Sequence, residues 1–131
     1  MIPDCTLVTA NYCLTKYNNN CRNIETTIDN MRSLLQVPCY LVIFTDNFLF
    51  LKINEIRTNF GFNHITKYIV REYEELEVFQ YVNIVKENRV KYHPTKDERT
   101  CVESHLLCCS KFGFVLEIIE QNPFQIGRAH V

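Results

Sequence analysis

Glycine is scarce in this chain: three in 131 residues, at positions 61, 113 and 127. Neither a dinucleotide fingerprint nor a P-loop can be assembled from so few, which excludes Rossmann dehydrogenase and P-loop NTPase chemistry. Tryptophan is absent, and alanine occurs only at positions 10 and 129. No excess of basic charge exists either. With 14 Lys and Arg against 15 Asp and Glu, the net charge is -1, so no broad positive field is available to attract nucleic acid. The longest purely apolar run, Cys39 to Phe44, is far too short to cross a bilayer. The start, MIPDCTLVTA, lacks a basic segment followed by an apolar one, so a cytoplasmic location is expected. A nucleophile elbow is missing, as is a DxD pair of carboxylates within residues 1–124.

What is present is a globular composition, 47% hydrophobic and 22% charged, at a length suited to one domain or the first part of a larger one. The seven cysteines (5, 13, 21, 39, 101, 108 and 109) are odd in number, and two of them are adjacent. Without an export signal they read as reduced thiols. Residues Ile126 to Val131 break the Asn, Ile and Tyr-rich usage of the rest. They also match the translation of a common sequencing-library adapter, whose preceding bases complete the codon for Gln125. The expectation is a native segment of 1–124, with 125–131 as read-through.

Patterning predicts alternating strands and helices. Residues 5–12 (CTLVTANY) form a strand running into a loop. Residues 24–35 form a helix, with Asn23 as N-cap and Ile24, Ile28, Met31 and Leu34/Leu35 on one face. CYLVIF, 39–44, lacks alternation, as expected of a parallel strand covered on both faces. A second helix follows Thr45-Asp46-Asn47, with Leu49, Ile53, Ile56 and Phe60 on its buried face and Gly61 at C′. A third strand covers 64–71, a loosely periodic helix 74–89 and a polar loop 91–98. A final helix spans about 100–121, with a predicted core stripe of Cys101, His105, Cys108/Cys109, Phe112, Val115/Leu116 and Ile119. Such an order implies right-handed crossovers and a parallel sheet. Ligands then bind beyond the carboxyl ends of the strands, at Thr9-Ala10-Asn11-Tyr12 and Thr45-Asp46-Asn47.

Three constellations bear on chemistry. Cys101, His105 and Cys108 share a helix face and offer three zinc ligands, but no partner pair accompanies them, and packing is the preferred reading. Asp46 suits a helix N-cap, worth about 1 kcal/mol; the alternative is an acceptor for a ribose or base. Tyr12 is an aromatic placed to stack on a base. Lys111 is either a snorkelling surface lysine or a cation aimed at a diphosphate.

The segments TLVTANY, LVIFTD with the following Arg57, and SHLLCCSKFGFVLEIIEQNPF resemble the HtrL/YibB family, which includes bacterial surface-polysaccharide-associated proteins and related glycosyltransferases of large DNA viruses. The resemblance spans nearly all of 5–124; residues 72–98 do not align. It implies a Rossmann-like, three-layer α/β fold of the GT-A type with a mostly parallel sheet, present here as its truncated N-terminal part. It also implies sugar transfer from a nucleotide-diphosphate sugar, of UDP type, to a glycan or glycoprotein acceptor by a hexosyltransferase-type enzyme. Mn²⁺ or Mg²⁺ is the cofactor expected for a full-length protein. Nucleotide-site roles carry over onto Thr9, Ala10, Asn11, Tyr12, Asp46, Arg57 and Lys111. The chain departs from the family pattern in lacking the acidic metal-binding motif after Phe124, and in having Cys109 where a Trp precedes the matching Lys. No metal ligands are assigned, and the 131-residue chain is expected to be inactive. The contrasting expectation is a non-catalytic α/β module working through protein contacts. On either reading, a parallel sheet missing its later strands leaves an unpaired edge and an uncovered face, so the chain is expected to aggregate.

Overall fold

The computed structural model describes residues 4–19, 21–92 and 101–125. Of the expected read-through, 125–131, residues 126–131 lie outside the described residues, as does the 93–98 part of the predicted loop. Three strands, β1 (Thr6–Asn11), β2 (Tyr40–Thr45) and β3 (Thr66–Val70), form a parallel sheet in the order β1-β2-β3. The chain is thus α/β with a small parallel sheet. The register pairs Asn11 with Thr45 and Thr45 with Val70, so the three carboxyl ends finish level with one another.

Helix α1 (Ile24–Leu35) connects β1 to β2, and α2 (Asn47–Asn59) connects β2 to β3. Because both crossovers step in the same direction across the sheet, a shared handedness puts both helices on one face. Ile28, Met31 and Leu35 of α1 accordingly pack with Leu49, Ile53 and Ile56 of α2 over Leu41 and Ile43. The other face of β2, carrying Val42 and Phe44, is covered by the later part of the chain, including Tyr73, Leu76, Leu107, Phe114 and Ile118. Residues 41–45 of β2 are fully buried, which is why its sequence shows a run rather than alternation.

The helix ends follow local chemistry. Asn23 caps α1, its side chain accepting from Thr26 N at 2.8 Å. Gly61 sits after α2 with φ +78°, a left-handed conformation that costs glycine nothing. Around it Gly61 N donates to Thr58 O at 2.8 Å and Phe62 N to Arg57 O at 3.3 Å, the paired bonds of a Schellman motif. Asn122, also left-handed, closes the last helix ahead of Pro123.

The structure corrects several expectations. The 74–89 helix is two 3₁₀ segments, Tyr73–Glu75 and Glu77–Tyr81, followed by α3 (Val82–Tyr92), which takes in Lys91 from the predicted loop. Tyr73, Leu76, Phe79 and Val82 recur every three residues, the period of a 3₁₀ helix rather than an α-helix. The third strand is shortened at its start by a 3₁₀ turn, Asn63–Ile65. Phe60 is exposed, and the polar Arg57 takes the buried place on α2.

The largest correction concerns α4 (Val102–Gln121). Its buried residues are Val102, Glu103, Leu107, Phe114 and Ile118, whereas His105, Cys108 and Cys109 are exposed, as are Phe112 (79%) and Leu116 (61%). At 100° per residue the predicted stripe lies close to half a turn from the face that packs. The helix is apolar on both sides, so periodicity alone does not select which side meets the sheet.

Candidate functional site

The carboxyl end of the sheet is held together by Asp46. Its Oδ1 accepts from Leu49 N at 2.9 Å, capping α2, and its Oδ2 accepts from Cys13 N at 2.8 Å, tying down the chain that leaves β1. Burial pushes the carboxyl above its ordinary range, and the two backbone bonds oppose that shift. The N-cap reading therefore holds, and a second backbone bond accompanies it. Asp46→Ala is expected to cost about 2 kcal/mol, since both the cap and the tie to Cys13 are lost. Asp46→Asn, which keeps one acceptor, is expected to lose roughly half as much. Urea midpoints of the two variants check the order, and equal losses would contradict it.

A cleft of about 360 Å³ opens between the end of β1, the β1–α1 connection and α4. Its walls include Asn11, Tyr12, Arg22, Ser104 and Lys111. A smaller adjoining cleft reaches Thr9, Ala10 and Lys111. Five of the seven residues singled out from sequence, Thr9, Ala10, Asn11, Tyr12 and Lys111, thus meet along one groove. Asn11 Nδ2 donates to Thr9 Oγ1 at 3.1 Å. Lys111 is exposed, and Arg22, from the connection, adds a second cation.

Tyr12 and Arg57 differ from expectation. Tyr12 is only 5% exposed and meets Tyr73 edge to face, with ring centroids 6.4 Å apart. Its ring is core, which leaves little surface for a base to stack on. Burial, reinforced by the Asp46 charge, pushes its phenol above the ordinary range. Arg57 lies at the opposite end of the sheet, fully buried, where Nη1 donates to Leu35 O at 2.8 Å and Val37 O at 2.6 Å. Its Nη2 donates to Cys39 O at 2.8 Å and its Nε to Thr66 Oγ1 at 2.7 Å. The guanidinium joins the end of α1 to the starts of β2 and β3, and it stands 4.9 Å from the Phe62 ring. Burial pulls its pKa below the ordinary value. The structure does not bring Arg57 to the groove.

Arg22 was missed from sequence. It directly precedes the Asn23 cap, on the loop that leaves the carboxyl end of β1; reading that loop as far as α1 would have included it. A second cleft, of about 450 Å³, lies between the 3₁₀ segments and α4. The Arg71–Glu117 pair lines it, with Nη2 to Oε1 at 2.7 Å, together with Glu75 and Glu77. Three carboxylates against one arginine disfavour a phosphorylated ligand there.

The donor set for a divalent cation does not fit. Among the described residues no three His, Cys, Asp or Glu side chains come together to hold a metal. Both oxygens of Asp46 are engaged by backbone N–H groups. Of the zinc candidates, Cys101 is buried against Cys21, while His105 is exposed with Nδ1 2.9 Å from Arg89 Nη2, and Cys108 is exposed. No helix among the described residues is long and apolar enough to cross a membrane. No protein-family model, curated protein or solved structure matches the chain.

Proposed function

We propose that this chain is the nucleotide-binding part of a glycosyltransferase-like protein of the GT-A type. The groove at the end of β1 is its binding site for a nucleotide-diphosphate sugar, of UDP type. The observation that carries this reading is the convergence of Asn11, Arg22 and Lys111 on one cleft at the carboxyl edge of a parallel sheet. That edge is where open α/β sheets take their ligands. A diphosphate suits the pair of cations: Arg22 offers a planar fork for two phosphate oxygens, and Lys111 a mobile point charge. The resemblance to the HtrL/YibB family supplies the sugar, the Mn²⁺ or Mg²⁺ and the glycan or glycoprotein acceptor.

Titration calorimetry tests this. UDP is expected to bind weakly and more tightly than uridine, with affinity falling as salt rises, because the diphosphate carries the electrostatic attraction. Lys111→Ala and Arg22→Ala are each expected to weaken UDP binding about tenfold, the usual worth of one charged hydrogen bond. Uridine binding as well as UDP, or variants indistinguishable from the parent chain, would overturn the proposal and leave the protein-contact module as the better account.

A further inference from the structure

The sulfurs of Cys21 and Cys101 lie 2.7 Å apart, though the two residues are 80 positions apart in the chain. All seven cysteines are unbridged. We propose that Cys21 and Cys101 are an oxidation site, at which the two thiols join as a disulfide that clamps the β1–α1 connection to the start of α4.

Three observations besides the distance support it. Both backbones are already held. Cys21 N donates to Asn18 O at 3.0 Å within the connection, and Cys101 is the N-cap residue of α4, its carbonyl accepting from His105 N at 3.2 Å. The bond therefore forms between positioned residues instead of ordering a loose loop, which is the condition under which cross-links stabilise. Shielding is the second. Cys101 is buried, and Cys21 packs against the same core as Tyr73 and Val102, so larger thiol reagents compete poorly with the neighbouring sulfur. The third is location. Cys21 lines the groove, and the helix that Cys101 begins supplies Ser104, Leu107 and Lys111 to its other wall. A disulfide here ties the two walls together. This inference concerns the bond alone and stands whatever the groove holds.

With hydrogen peroxide as oxidant the chemistry balances. The thiolate of one cysteine attacks a peroxide oxygen, the O–O bond breaks, and a sulfenic acid forms while the released hydroxide takes a proton to become water. The second sulfur then attacks the sulfenic sulfur, the S–S bond forms, and a second water leaves with the remaining proton. Two thiols are oxidised and one peroxide is reduced. Burial first, and then the neighbouring Cys101 and Glu103, push the Cys21 thiol up to about 12. Oxidation at neutral pH is accordingly slow, since the thiolate is the reactive form.

The test is non-reducing peptide mapping of the full chain after treatment with hydrogen peroxide, followed by alkylation of remaining thiols. The expected result is a cross-linked pair of peptides containing Cys21 and Cys101, two hydrogens lighter than the reduced pair. Thermal unfolding of the same sample is expected to rise by roughly 10 °C, reversed by dithiothreitol, because the bond closes a long loop in the unfolded chain. Cys21→Ser is expected to abolish that difference. Mapping of the parent chain needs no variant, so misfolding of Cys21→Ser leaves the test intact. Recovery of Cys21 and Cys101 both alkylated after oxidation, or each joined to a different cysteine, would overturn the proposal.

Discussion

Replacing Arg57 with methionine is expected to destabilise the protein by about 4 kcal/mol, a large share of the stability of an ordinary domain. The guanidinium is fully buried, and no carboxylate among the described residues pairs with it. Its partners are the carbonyls of Leu35, Val37 and Cys39 and the hydroxyl of Thr66. Methionine fills much of the space but donates nothing, so the carbonyls of Leu35 and Cys39 lose this donor in a place water reaches poorly, while Val37 O keeps its bond from Cys39 N at 2.9 Å. Each orphaned group costs about 1–3 kcal/mol. The desolvation of the cation is relieved by the same substitution, which keeps the net below the sum. Arg57→Lys retains the charge but not the fork, and is expected to fall between the two, since one ammonium cannot span acceptors set along three strand and helix ends. Urea unfolding at constant m-value measures both. An unfolding free energy for Arg57→Met within about 0.5 kcal/mol of the parent chain would remove Arg57 from the structural role given to it here.

The second large effect separates the two faces of α4. Phe44 of β2 is fully buried and stacks on Phe114 of α4, with ring centroids 4.1 Å apart and 17° between planes. Phe114→Ala is expected to cost about 3–4 kcal/mol through lost burial and the cavity left against Phe44. Phe112→Ala, two positions earlier on the same helix, is expected to change stability by less than about 0.5 kcal/mol because the ring already faces solvent. If the predicted stripe described the core, the order would invert, with Phe112→Ala the damaging change. Comparing the two variants in one denaturant series decides the rotation of the helix.

These two cases also show what the sequence makes legible. Signals that act over a few residues transfer well: Asn23 and Asp46 as caps, Gly61 as the left-handed closure of α2, and the unbroken run of β2 as a strand covered on both sides. Each depends on neighbours within one turn or on a single periodicity. Arg57 was not legible as a buried structural residue, since its partners lie 18 to 22 positions upstream and 9 downstream, and no local pattern announces them. The face of α4 was not legible because the helix carries apolar residues on opposite sides, and only the packed chain selects Leu107, Phe114 and Ile118 over Phe112 and Leu116. The 3₁₀ segments escaped for a subtler reason: they are three and five residues long, and within so short a segment a period of three and one of 3.6 differ by less than a quarter turn.

The groove was partly legible. Expecting a ligand at the strand carboxyl ends picks out Thr9, Ala10, Asn11 and Tyr12, which line the clefts found there. Lys111 joins them because α4 crosses that end of β1. Burial changes what two of the residues can offer. Tyr12 is spent on the core, and Asp46 on two backbone bonds, so the proposed polar contacts to a nucleotide fall to Asn11, Arg22 and Lys111.

The most direct test of that account is a map of backbone amide shifts in the isotope-labelled chain as UDP is added. Shifts concentrated at residues 9–12, at Arg22 and along 104–111, and weakened by Lys111→Ala, are the predicted result. Shifts confined to the cleft around Arg71 and Glu117, or no shifts at concentrations of UDP that saturate weak sites, would contradict it.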